Sequence, residues 1–178
     1  MELREACEAD LPAVQAIYAY HVFHGLASFE EVPPGVEEMR KRRAEVADRG
    51  LPYLVAHDAS GILGFGYCNL FRTRSAYRHT LEDSIYVREG LQGHGVGRML
   101  LAALIARSTA LGYRQMVAVI GDSGNAPSIG LHASLGFTHA GTLRATGFKF
   151  GRWVDTVMMQ RALGPGDSTL PGPAGIGA

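Results

Sequence analysis

The chain has 178 residues, 47% of them hydrophobic, which suits one globular domain with a sizeable core. Lysine plus arginine and aspartate plus glutamate each number 17, so the formal net charge is zero, which argues against a nucleic-acid binder working by broad phosphate neutralisation. No apolar run reaches the length of a membrane span, the charged start "MELREACEAD" does not read as a signal peptide, and Cys7 and Cys68 show neither disulfide nor metal-ligand spacing, which suits a cytoplasmic protein without a metal.

In chain order, "LREA" at 3–6 reads as a short strand. Asp10 is placed to cap a helix with Pro12 in its first turn and Val14, Ile17, Tyr18 and His21 at helical spacing. "SFEEVPPG" breaks that pattern, and a polar helix follows over about 36–49, with Met39, Val46 and arginine stems turned inward. "PYLVAHD" and "ILGFGYCNLF" read as strands of a hairpin joined at "ASG". After the polar loop "RTRSAYRHT", "LEDSIYV" is another strand, and the helix beyond the glycines runs to about Leu111, where Gly112 stops it. "QMVAVI" is a buried strand, "NAPSIGLHASLG" a helix started by Asn125 or Ser128 and closed by Gly136, and "FTHAGTLRA" and "WVDTVMMQRAL" are two further strands. Helices interleaved with a largely consecutive sheet make the fold mixed α/β or α+β. The domain spans 1–163, and the glycine- and proline-rich segment 164–178 reads as a flexible tail, too poor in large apolar groups to offset its ordering entropy.

The stretch "QGHGVGR" stands between a strand and a helix, an arrangement that binds phosphate: amides at a helix start attract an anion and glycines let it approach. Its spacing fails two patterns. A dinucleotide loop would need glycine where Arg98 stands, and a nucleoside triphosphate loop would need lysine where Met99 stands. What fits is Q/R-x-x-G-x-G/A, over Gln92, Gly93, His94, Gly95, Val96 and Gly97; a glycine-rich turn without a ligand has the same local look. This loop resembles the pyrophosphate loop of the GCN5-related N-acetyltransferases, which bind acetyl-CoA. The superfamily's second pattern, N-x-x-[AS]-x-x-[LF]-Y-x-x-x-G-F, is met by Asn125, Ser128, Leu131, Gly136 and Phe137, with His132 in the tyrosine position. "SFEEVP", "FRTRSAYRHTLEDSIYV", "AVIGDSGNAPSIGLHASLGF" and "GFKFGRWVD" together are similar to the phosphinothricin and methionine sulfoximine N-acetyltransferases, over about 3–163, and that narrower family also has histidine at the place of His132.

The resemblance implies a central, mostly antiparallel mixed sheet, splayed at the acetyl-CoA site and flanked by helices. It implies a homodimer that transfers acetyl to the α-amino group of a small amino-acid analogue by direct attack. The chemistry asks for a base, because an α-amino group is largely protonated near neutral pH, and for a proton source for the CoA thiolate. The resemblance makes Glu82 the candidate base, where a lone strand-end glutamate would otherwise read as solvated, and strand alternation puts Glu82, Ser84 and Tyr86 on one face and Asp83 on the other, which ranks Asp83 lower. His132 is the second catalytic candidate, as donor to the thiolate, orienter of the amine or helper of the base. The CoA contacts implied are amides from Gln92 to Arg98, main-chain groups of Ile85, Tyr86 and Val87, and Asn125 with Ser128 nearby. His94 is open between a phosphate contact and loop filler, and no other histidine has support as a site residue. Guanidinium donates two parallel hydrogen bonds, so Arg72, Arg74 and Arg78 could hold acidic groups or form only a solvated basic loop; the resemblance singles out Arg72 and Arg74 for the acidic groups of the acceptor, with Phe29 and Tyr77 shaping the pocket. Lys149 and Trp153 match family positions without an assignable role, Trp153 being expected in the core or at a dimer interface. An acceptor of another kind (a peptide N-terminus, polyamine or aminoglycoside) and a non-catalytic acyl-CoA binder are the rival readings. Cationic acceptors would want an acidic pocket, and a pure binder needs neither Glu82 nor His132.

Overall fold

The computed structural model describes residues 1–172. The elements run β1 (Glu2–Glu5), α1 (Leu11–His24), α2 (Val36–Asp48), β2 (Tyr53–Asp58), β3 (Gly61–Leu70), β4 (Thr80–Val87), α3 (Val96–Ala110), β5 (Gln115–Gly121), α4 (Ala126–Ser134), β6 (Thr138–Lys149) and β7 (Arg152–Ala162). They form one seven-stranded sheet in the order β1-β2-β3-β4-β5-β7-β6. Every neighbouring pair is antiparallel except β4 and β5.

Each face of β4 is covered, so the strand is central and its apolar content is high. On one face Tyr86 stacks edge-on against Tyr18 of α1 at 4.9 Å and lies beside Phe65 of β3 at 5.1 Å. On the other, α3 lays Val96, Leu100, Leu101, Leu104 and Ile105 against the sheet, all buried at helical spacing. Each such side chain contributes about 1.5–3 kcal/mol by leaving water. Gly66 makes this approach close: a Cβ there would stand 3.2 Å from Leu104 and 3.1 Å from the Ser84 carbonyl.

Three local expectations change. Asp10 does not cap α1 with its side chain. Its carboxylate accepts from the Cys7 amide at 2.8 Å and from the Arg4 guanidinium at 2.7 Å, and that cation holds it well below the usual carboxylate range. The nearby guanidinium and the tight turn before α1 win over the helix start. Trp153 is not in the core: it is 66% exposed and stacks edge-on on Phe148 at 5.2 Å. β6 runs on to Lys149, past the expected end at Ala145, because the strand absorbs irregularities between Leu143 and Gly147 instead of stopping.

The flexible-tail expectation falls partly on residues 173–178, which lie outside the described residues. Over 164–170 the chain is hydrogen-bonded: Gly166 N–H donates to the Leu163 carbonyl at 3.0 Å, and the Arg114 guanidinium donates to the Thr169 carbonyl at 2.7 Å.

Candidate active site

The single parallel pair is where the sheet opens. β4 and β5 are in register only from Thr80 with Gln115 to Asp83 with Ala118, and from Ser84 and Val119 onward the two strands part. β3 stays paired to β4 along that whole stretch, from Gly64 with Val87 to Leu70 with Leu81, so only the β5-facing edge of β4 lacks a strand partner. A cleft of about 840 Å³ enters there, lined by Ser84 to Val87, the glycine loop, the end of β5, α4 and the C-terminal end of α1. An extended amide chain can pair with such an edge as an added strand would.

The loop at the mouth is built by backbone conformation. Gly93 has φ 80° and Gly95 φ 85°, in the left-handed region where a side chain is strained, and both would meet only open space with an added Cβ. Gly95 is the residue from which α3 departs, and the first rung is Met99 N–H to the Gly95 carbonyl at 3.0 Å. The amides of the first turn thus lie ahead of the helical ladder, available to an anion. Gln92, Gly93, Gly95, Gly97 and Arg98 line the cleft, and Arg98 also donates to Ser134 of α4 at 2.8 Å. His94 is exposed outside the lining and bonds the Gln92 carbonyl through Nδ1 at 3.1 Å; Val96 points its side chain into the core.

Of the expected contact residues, Ile85, Tyr86, Val87, Asn125 and Ser128 all line the cleft. Two of them already have internal partners. The Val87 carbonyl accepts from His21 Nε2 at 2.8 Å, and the Asn125 side-chain oxygen caps α4 by accepting the Ser128 amide at 3.2 Å. His21, unsupported in the sequence beyond its place on the α1 stripe, is therefore a cleft residue that ties α1 to the β4 edge.

Glu82 and Asp83 project to opposite faces of β4. Glu82 stands on the α1 side, half-buried and outside the lining of the main cleft, one step before the last paired position of β4 and β5. Burial first, and then the neighbouring Asp83 charge, push its carboxyl up to about 7, against a weaker pull from Arg72. Asp83 faces α4, where its Oδ2 is 3.0 Å from His132 Nε2 with both groups buried. His132 Nδ1 is 2.7 Å from the Ser128 carbonyl, which can only accept, so Nδ1 carries a proton. Against an ionised Asp83, Nε2 must donate as well, which makes the ring an imidazolium. Burial disfavours that charge, but the hydrogen bond and charge of Asp83 outweigh it and raise the His132 pKa. Both ring nitrogens are thus engaged, so neither is free to meet a group in the cleft. Asp83, ranked below Glu82 from the sequence, is the partner of His132, because the same alternation aims it at a helix nearly fifty residues further along the chain.

Arg72, Arg74 and Tyr77 lie exposed in the loop before β4, outside the cleft lining. Arg72 stacks over Phe71 at 5.0 Å, and Phe71 meets Tyr77 edge-on at 5.9 Å, so these two expected residues share one cluster whose charge reaches Glu82. Arg74 meets that cluster through its carbonyl, which accepts the Tyr77 amide at 2.9 Å. Phe29, 42% exposed, sits apart from them, its ring over Gly147 of β6.

Residues 3–158 match the acetyltransferase (GNAT) domain family. A phosphinothricin N-acetyltransferase of Alcaligenes faecalis is 57% identical over 169 residues, covering 95% of this chain and 86% of the relative. An L-methionine sulfoximine/L-methionine sulfone acetyltransferase of Pseudomonas paraeruginosa is 43% identical over 164 residues, covering 92% and 95%. Among solved structures, a GNAT superfamily phosphinothricin acetyltransferase from Sinorhizobium meliloti in complex with AcCoA superposes with TM-score 0.93 at 47% identity, covering 97% of this chain and 93% of that one.

Proposed function

The chain belongs to the GNAT acetyltransferase family and is an N-acetyltransferase, and we propose that it transfers acetyl from acetyl-CoA to the α-amino group of a small amino-acid analogue of the phosphinothricin, methionine sulfoximine or methionine sulfone type. The observation that carries the reading is the conjunction along β4: an anion-binding helix start beyond its end, an unpaired edge over its last residues and a carboxyl raised to about 7 just before that edge.

Acetyl-CoA supplies an activated thioester. The amides of the Gln92–Arg98 loop hold its pyrophosphate, and the free edge of β4 over Ile85–Val87 holds the amides of its arm, with Asn125 and Ser128 across the cleft. Glu82 takes a proton from the acceptor ammonium, directly or through water, so that the neutral amine attacks the thioester carbonyl in a ternary complex. The C–N bond forms as the C–S bond breaks, and the second proton that the nitrogen gives up on becoming an amide balances the one that the leaving thiolate takes up. His132, which lines the cleft and is held in place by Asp83, acts on the developing negative charge electrostatically. Arg72 and Arg74 receive the acceptor's acidic groups, with Tyr77 and Phe29 as walls. The basic loop disfavours polyamine and aminoglycoside acceptors, and the raised carboxyl of Glu82 has no use in a passive CoA binder.

A CoA-release assay over amino-acid analogues tests the assignment. Turnover is expected with at least one of phosphinothricin, methionine sulfoximine and methionine sulfone, and none with any of the three removes the substrate class. The same proposal includes a cytoplasmic homodimer, with 1–163 as the catalytic unit. Leu143, Phe148, Phe150 and Trp153 are each more than half exposed on the β6–β7 hairpin, an apolar surface that a second copy would cover. Sedimentation should show a dimer that Trp153→Glu dissociates, and a monomer at every concentration would contradict it. The free thiols Cys7 and Cys68 fit a reducing compartment, which cell fractionation checks.

A further inference from the structure

Lys149 is buried to 2% exposure, and among the described residues no carboxylate lies within ion-pair distance of it. A desolvated ammonium without a counter-ion is costly, and it persists where its hydrogen bonds fix something else. Here they fix a turn. Nζ donates to the Gly25 carbonyl at 2.9 Å and to the Ser28 carbonyl at 2.7 Å, bridging more than 120 residues of sequence. Ser28 is itself held by its side chain, 3.0 Å from the Tyr18 hydroxyl.

The turn from Gly25 to Phe29 leaves the end of α1 and crosses the place where β5 ends. Gly25, Leu26 and Ala27 wall the cleft. Two glycines show how closely the turn is seated. A Cβ on Gly121 of β5 would lie 1.9 Å from the Leu26 carbonyl oxygen, and a Cβ on Gly147 of β6 would lie 2.6 Å from the Phe29 ring. The turn is therefore fitted to two strand backbones by the lack of side chains there, and bound from a third point by the ammonium. Gly147 and Lys149 come from β6, beyond the irregularity that carries this strand past its expected end.

We propose that Lys149 is a positioning residue for the acceptor: its ammonium clamps the Gly25–Phe29 turn through the Gly25 and Ser28 carbonyls, and the clamped turn carries Phe29, the ring assigned above as a wall of the acceptor pocket. The inference deepens the acetyltransfer reading above and rests on it for the identity of the acceptor. Loss of the ammonium frees the turn, so the acceptor loses a wall, whereas the phosphate loop at Gln92–Arg98 is untouched. The effect is thus a split between the two substrates.

Lys149→Met keeps the length and apolar stem of the side chain and removes the donor. Amide hydrogen exchange over residues 22–31 should speed up by about tenfold or more, while exchange in the buried part of α3 stays as in the wild type. The acceptor KM should rise at least tenfold, clearly more than the acetyl-CoA KM, with kcat changed less than either. Wild-type exchange over 22–31, or equal rises in the two KM values, overturns the proposal. Gly147→Ala provides a second route should the first variant fold poorly. It leaves the ammonium in place and displaces the Phe29 ring, so it should raise the acceptor KM in the same way, and an unchanged acceptor KM there overturns the clamp as well. If the wild type acetylates none of the amino-acid analogues, the substrate reading fails on its own, and the exchange measurement still decides whether Lys149 holds the turn.

Discussion

Replacing Glu82 by glutamine separates a base from a spectator. A carboxyl that titrates at about 7 is about nine-tenths ionised at pH 8 and about one-tenth at pH 6, so base-dependent turnover falls about tenfold over that span. Glutamine keeps the shape and cannot take the proton, so kcat should fall by about 10²–10⁴. The acceptor amine titrates too, but equally in both proteins, so the rates are compared as the ratio of variant to wild type. That ratio should climb about tenfold from pH 8 to pH 6. Stability should move the other way. Because the folded carboxyl is raised from 4.5 to about 7, the native state binds the proton more tightly than the unfolded chain, and the wild type loses stability as pH rises through that window. The separation of the two values corresponds to about 3 kcal/mol at pH 8, taken as an upper figure. The glutamine variant does not have this cost. In urea it should unfold later than the wild type at pH 8, and the difference should shrink toward pH 5. A rate ratio that stays flat from pH 6 to pH 8, or a kcat equal to the wild type, refutes Glu82 as the base.

Gly95→Val puts a β-branched side chain at φ 85° and a methyl-bearing wall where the pyrophosphate approaches, so calorimetry should show acetyl-CoA binding weakened at least tenfold; unchanged affinity would falsify the cradle. His132→Ala leaves the Asp83 carboxylate buried without its cation and should cost about 3–5 kcal/mol in urea denaturation, whereas a cycle with Asp83→Asn should show the two losses to be coupled. Since the folded pKa of His132 is raised, that coupling is complete below the unfolded histidine value of about 6.5 and should fade as pH rises through the folded value. A coupling constant from pH 6 to pH 9 would count against the imidazolium–carboxylate pair. Arg72→Ala removes the one cation that holds the Glu82 pKa down, so the acid limb of the rate profile should move to higher pH, and the acceptor KM should rise about tenfold. If neither moves, Arg72 has no part in the site.

The element order could be read directly, because strand and helix periods reflect which faces are buried. Every expected helix and strand is present, and the glycine loop is legible because spacing alone excluded two phosphate ligands. The departures have specific causes. Asp10 has the composition of a helix cap, yet the Arg4 guanidinium competes for it and the capped turn lies earlier. Trp153 is large and apolar, and composition favours burial in the core or at a dimer interface, but among the described residues no element covers its hairpin face.

What the sequence by itself determined is local: the strand–glycine–helix unit that can hold an anion, a start for α4 at Asn125 or Ser128, and the opposite facing of Glu82 and Asp83. These follow from backbone stereochemistry and periodicity, which act over a few residues. Only the tertiary structure decided which of these groups meet. The parting of β4 from β5 after Asp83, the pairing of Asp83 with His132, and the reach of Lys149 to Gly25 and Ser28 all join distant segments. The strength of each such contact depends on how far the surrounding fold excludes water from it. Desolvation lifts the Glu82 carboxyl toward neutrality and makes the Lys149 ammonium costly unless its bonds are made, and no local pattern of residues encodes it.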